Sequence, residues 1–192
     1  MRLSFLSPSR CERGTISSPL RRALDTVDMV SDTEGRKEQA SGAESVIQRL
    51  VRDLSFRGIV EIRGDLDLVP PSAGEELVRL SPRRGYAFTD DDPADVAERL
   101  RARGVLAYDA TGALAGIAIA SEQVVRRLTD LDLERLPTAG PFAHVTAIVR
   151  RDEAGWFEVY VQQELGHYVA EAVVDALAGL DMSRGLTPEA GA

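Results

Sequence analysis

Apolar residues recur along the chain in two periods, and the switches between them mark out the elements. Val46, Ile47, Leu50, Val51 and Leu54 lie three and four apart, so residues 43–57 read as an amphipathic helix stopped by Gly58. Residues 59–69 alternate apolar and polar positions around Gly64-Asp65, which gives two short strands or a strand and a bend. Pro70-Pro71 ends that run, and "SAGEELVRLS" (72–81) reads as a short helix capped by Ser72. A clearer helix spans 92–103, with Asp92 as cap, Pro93 in the first turn and Gly104 at its end.

The next stretch has a plan that appears twice. "VLAYDATGALAGIAIA" alternates on both sides of Asp109-Ala110-Thr111-Gly112 and predicts a hairpin, followed by a helix over 121–133 with Val124, Val125, Leu128 and Leu131 inward. "HVTAIVRRDEAGWFEVYV" repeats the pattern around Asp152-Glu153-Ala154-Gly155, followed by a helix over 162–180. Both turns begin with Asp and end with Gly, so a duplicated strand–turn–strand–helix unit is one reading of the pair. Hairpins joined by helices predict an α+β two-layer sandwich, with a mainly antiparallel sheet and helices on one face. The folded part is expected over 43–181. Residues 1–42 and 182–192, poor in periodic apolar positions and rich in Ser, Gly and charge, read as disordered tails.

Composition narrows the function classes. The chain has 192 residues, 44% of them apolar, and a formal net charge of -8, which disfavours a general nucleic-acid or anionic-membrane binder. No segment has the length or hydropathy of a membrane span, and the first residues lack the apolar run of a signal peptide, so a cytoplasmic protein is expected. The single cysteine, Cys11, allows no internal disulfide. Of 23 basic residues only Lys37 is lysine, the signature of a GC-rich bacterial coding sequence.

The candidate chemistry gathers near the C-terminus. Gln163-Glu164-Leu165-Gly166-His167 resembles the zinc peptidase string His-Glu-Leu-Gly-His, in which two histidines four apart bind the metal and the Glu activates water. Glu164 and His167 match that base and second histidine, but Gln163, a poor zinc ligand, stands at the first ligand position. His144 and Glu171 are the nearest substitutes. On a helix, Leu165, Tyr168, Val169, Ala172, Val173, Ala176 and Leu177 share one face, and Gln163, His167 and Glu171 form a polar stripe opposite. His144 alternates with apolar neighbours and reads as a strand residue, and of Trp156 and Tyr160, whose parity opposes that of Phe157, at least one is expected on the outer face. These residues make up the candidate binding set: His144, Trp156, Tyr160, Gln163, Glu164, His167 and Glu171.

Other motifs carry less. Arg63-Gly64-Asp65 sits at a turn that favours Gly and Asp anyway, and Asp90, Asp91 and Asp92 suit a helix start. Arg99, Arg101 and Arg103 before a hairpin would fit the end of a winged-helix DNA binder, although a helix-turn-helix wants a shorter turn before them. The pattern as a whole favours a non-enzymatic module that binds another protein or itself, with no metal or cofactor. A hydrolase-like or degenerate metal site on the 163–167 segment, and a DNA-binding regulator, are the alternatives.

Overall fold

The computed structural model describes residues 49–55, 57–69 and 75–185. The expected tail at 1–42, with Cys11, and residues 43–48 and 186–192 lie outside the described residues. The fold is the α+β sandwich that the hairpin-and-helix pattern implies. Nine strands form two antiparallel sheets among the described residues. The five-stranded sheet has the order β1 (Val51–Asp53), β6 (Leu114–Ile119), β9 (Phe157–Gln162), β8 (Val145–Arg151), β7 (Thr138–Phe142). The four-stranded sheet has the order β3 (Glu75–Ser81), β4 (Arg84–Thr89), β2 (Gly58–Arg63), β5 (Leu106–Asp109).

Each sheet carries its helices on one face, and the two remaining faces meet. Helices α2 (Glu122–Leu128) and α3 (Gly166–Gly185) cover the larger sheet, burying Val124, Val125, Val169 and Val173 against Ile117, Val149 and Val159. Helix α1 (Pro93–Arg101) covers the smaller one, with Val96, Ala97 and Leu100 on Val60, Ile62 and Ala107. Between the sheets lie Ile59, Val78, Tyr86, Phe88, Ile148 and Tyr160. The alternation of strand side chains decides this division: in β9, Phe157, Val159 and Val161 go to the helices while Glu158 and Tyr160 go to the other sheet. Gly116 gives Tyr160 its room, since a Cβ there would stand 2.6 Å from Tyr160 Cε1.

Several sequence expectations change. The helix expected to 57 gives way at Val51 to β1, paired with β6 through Val51↔Ile119. Three edge residues have no local strand signal, and pairing outweighs their helical spacing. Residues 75–81 of the expected helix at 72–81 are strand β3, because Leu77 faces α1 while Val78 faces the second sheet. With adjacent Leu77 and Val78 both packed inward, on opposite faces, β3 lacks the simple apolar–polar alternation that identifies strands.

The expected hairpin over 105–119 is not one. Ala110 N donates to Ile59 O, which continues β5 along β2, and the chain then crosses at 110–113 into the other sheet. The apparent duplication therefore ends there, since of the two matched segments only 145–162 is a hairpin. Helix α2 stops at Leu128, five residues short of expectation, where Thr129 turns extended and its hydroxyl donates to Pro141 O. Strand β7 was not anticipated. Helix α3 starts later than expected, at Gly166, and runs past 181 to Gly185.

Candidate functional site

The end of α2, the β7–β8 turn and the first turns of α3 enclose a cleft of about 640 Å³. Arg127, Asp130, His144, Tyr168, Glu171 and Asp175 supply its polar wall. His144 lies at a turn apex, not within a strand. The two central residues of that turn, Ala143 and His144, have φ of 47° and 66°, the mirror-image hairpin geometry that usually takes Gly or Asn. Ala143 is held there by burial in the core and by its N–H donating to Leu128 O, which leaves His144 exposed on the rim. Tyr168 is 44% exposed, whereas the helical face predicted it inward. With three carboxylates to one arginine, the cleft offers a negative field to a cationic group.

The 163–167 string does not lie on one helix. Gln163, Glu164 and Leu165 wind as a 3₁₀ turn, and α3 begins at Gly166. Gln163 and Glu164 are exposed on that turn. The four-residue step from Gln163 to His167 is therefore not one α-helical turn, and the polar stripe expected through Gln163, His167 and Glu171 is broken. His167 Nε2 stands 3.1 Å from Glu171 Oε1, both about half exposed, a pairing worth little in water. Glu171 thus joins His167 on one side and the cleft of His144 on the other. Among the described residues no three His, Cys, Asp or Glu side chains converge as a metal ion requires.

The two aromatic candidates part company. Trp156 is half-buried beneath the Arg52 guanidinium, 3.8 Å from the ring centroid. Tyr160, a candidate for the outer face, is 1% exposed because the second sheet covers that face. Its hydroxyl donates to Glu158 at 2.9 Å. Burial, and next the Glu158 charge, push the phenol well above its ordinary pKa.

Glu158 is the hub of an ion cluster between the sheets that the sequence reading missed. It is 2% exposed and accepts from Arg57, which links β1 to β2. Arg150, directly across the β8–β9 pair, places Nε 3.2 Å from Glu158 Oε2 and pairs with Glu76 of the opposite sheet. Its guanidinium lies 5.1 Å from the Phe88 ring centroid. Arg150 Nη1 and Arg57 Nε are buried without an acceptor among the described residues. The signal was present: a turn at 152–155 sets Arg150 opposite Glu158, and Ile148 and Tyr160 mark their face as buried.

A third feature is the outer edge of the smaller sheet. Leu106 is 57% and Tyr108 52% exposed, two of the four large apolar side chains in the open among the described residues. They share one face of β5, whose neighbour Ala107 points to α1. The arginines of α1 do not follow the winged-helix plan: the elements before them are strands β3 and β4, and the residues after them form no hairpin.

No family model matches the sequence, and no curated protein matches it either. Among solved structures, one chain of a heterotetrameric sarcosine oxidase from Corynebacterium sp. U-96, in complex with pyrrole 2-carboxylate, is similar in fold, with a TM-score of 0.61 and 12% identity. The match covers 73% of this chain and 93% of that one. Identity this low bears on the fold alone. No helix among the described residues is long and apolar enough to cross a membrane.

Proposed function

We propose that the protein is a non-enzymatic binding module that acts through contact with another protein chain. The exposed pair Leu106 and Tyr108 on β5 supports this reading best. Exposed strand edges invite further strands, and the other sheet edges carry devices against it. Strand β1 is three residues long, β7 holds Pro141, and β3 has an irregular register between Arg79 and Ser81. Strand β5 lacks these devices, but its main-chain edge is covered at Val105 and Ala107, which are 4% and 1% exposed. It pairs only with β2 among the described residues and shows Leu106 and Tyr108 to solvent. Adjacent exposed apolar side chains of this kind suit contact with another protein surface.

The test is a photo-crosslinking amino acid at position 108 in the native cells, with position 135, whose arginine is 85% exposed, as control. A discrete adduct from 108 and none from 135 is expected. Equal labelling from both, or none, defeats the reading.

A second reading has one observation in its favour, the shared cleft of His144 and Glu171 with His167 beside it. A hydrolytic or metal site there requires zinc to bind the wild type stoichiometrically and the His167→Ala variant weakly or not at all. Equal, negligible zinc uptake by both removes it.

A further inference from the structure

We infer that a second cleft, where strands β8 and β9 part, binds a small apolar monocarboxylate, its carboxylate held by Arg84 and by free main-chain amides and its hydrocarbon body lying between the sheets. The cleft has a volume of about 390 Å³, within the range of small-molecule sites. A fork in the larger sheet creates it. The pairing of β8 with β9 ends at Ile148↔Tyr160, although β8 reaches back to Val145 and β9 runs on to Gln162. Beyond that pair each strand keeps only its outer neighbour, β7 for residues 145–147 and β6 for residues 161–162.

The fork leaves main-chain groups without a partner among the described residues. Asp152 N donates to Trp156 O, so alternate residues back along β8, namely Arg150, Ile148 and Thr146, turn their N–H and C=O toward β9. Opposite Thr146 on β7 stands Pro141, which has no amide to offer. On the other strand, Gln163 N donates to Ala113 O on the β6 side, so Gln162 turns its N–H and C=O toward β8. Thr146 and Gln162 are both exposed and both line the cleft, so these groups are open to a ligand.

The side chains select the chemistry. Thr146 and Gln162 share the face of Ile148 and Tyr160, and with Leu114 they form one wall. Leu80, Tyr86 and Arg84 of the smaller sheet form the other. Arg84 is the one charged side chain among the described residues of the lining. Its Nε donates to Glu61 and its Nη2 to the Tyr86 hydroxyl, and Glu61 is shared with Arg63. Two arginines on one carboxylate leave the mouth positive, within a chain whose net charge is -8. Arg84 is about half exposed, and its Nη1 has no acceptor among the described residues. A carboxylate takes that N–H without displacing Glu61, while an apolar tail replaces water on the walls. A cation would meet Arg84 with no carboxylate on the lining to offset it.

Calorimetric titration of the purified full chain with octanoate, octylammonium and octanol, which share one tail, tests the charge, and amide hydrogen exchange tests the fork. Octanoate is expected to bind one to one, and octylammonium about tenfold or more weakly. Arg84→Gln should weaken octanoate by about tenfold or more, as loss of a charged hydrogen bond does, and leave octanol within about twofold. Ala139→Phe fills the slot from an exposed position opposite Ile148, so it should abolish uptake of both with thermal unfolding unchanged. Bound octanoate should slow exchange at the Thr146 and Gln162 amides and leave Arg150, already paired with Glu158 across the ladder, unaltered. Octanoate that does not saturate at millimolar concentration, octylammonium that binds equally well, or affinity that both variants retain overturns the inference. Saturable binding without protection of either fork amide overturns it as well.

Discussion

Tyr160 donates to a carboxylate from inside the sheet interface, and burial beside that charge keeps its phenol protonated well above the tyrosine range. In the unfolded chain the same group ionises near ~10. The folded state therefore holds the proton more tightly. The stability this provides is full below that pH and falls as pH rises above ~10, by up to about 1.4 kcal/mol per pH unit. Tyr160→Phe should cost about 1.5–3 kcal/mol at neutral pH, since it takes a donor from a buried carboxylate. It should also flatten the alkaline decline. Urea unfolding of both proteins between pH 7 and 11 checks both statements, and a variant with an equally steep decline would show that other groups control it.

The turns at 109–112 and 152–155 look alike in sequence and differ as elements. In the second, Asp152 Oδ1 accepts from Trp156 N, Gly155 N donates to Asp152 O, and Gly155 has φ of 87°. Gly112 lies outside the left-handed region, with open space where a Cβ would go. Gly155→Ala should therefore destabilise by about 1–2 kcal/mol, whereas Gly112→Ala should be neutral or stabilise by up to ~1 kcal/mol. Chemical denaturation of the two variants decides the matter. The same contrast explains what the sequence could show. Helix α1 and the β8–β9 hairpin were legible because capping, periodicity and turn chemistry agree within a dozen residues. Strand β3 was not, because Glu76, Leu77 and Leu80 favour helix locally while pairing with β4 imposes strand. His144 was placed in a strand because its turn lacks the Gly or Asn that usually marks one. The separation of β5 from β6 depends on which strand each finds as a neighbour, which no local pattern encodes.

At the scale of the molecule, the Glu158 cluster joins segments from both sheets. Arg57 comes from the β1–β2 link, Glu76 from the smaller sheet, and Arg150 and Glu158 from the larger. Removing one charge from a buried group of this kind leaves its partners desolvated and unpaired. Glu158→Gln should cost about 3–5 kcal/mol in thermal or chemical unfolding, far more than loss of the exposed Glu171 carboxylate beside His167. Near-equal costs would mean that the cluster is solvated and the sheets are held by apolar packing alone.

The crossing at 110–113 divides the chain unevenly between the sheets. Strands β2 to β5 complete the smaller sheet from consecutive residues, but the larger one, otherwise drawn from β6 to β9, takes its edge strand β1 from before the crossing. A ribosome thus releases β1 more than sixty residues before its partner β6 exists. Severing the peptide bond after Gly112 would yield two pieces, one holding a strand that belongs to the other's sheet. Mixed in equal amounts, the pieces 1–112 and 113–192 are expected to reassociate one to one, with Arg57 and Glu76 of the first meeting Glu158 and Arg150 of the second. The second piece alone would leave β6 as a raw edge, prone to aggregate until its complement arrives.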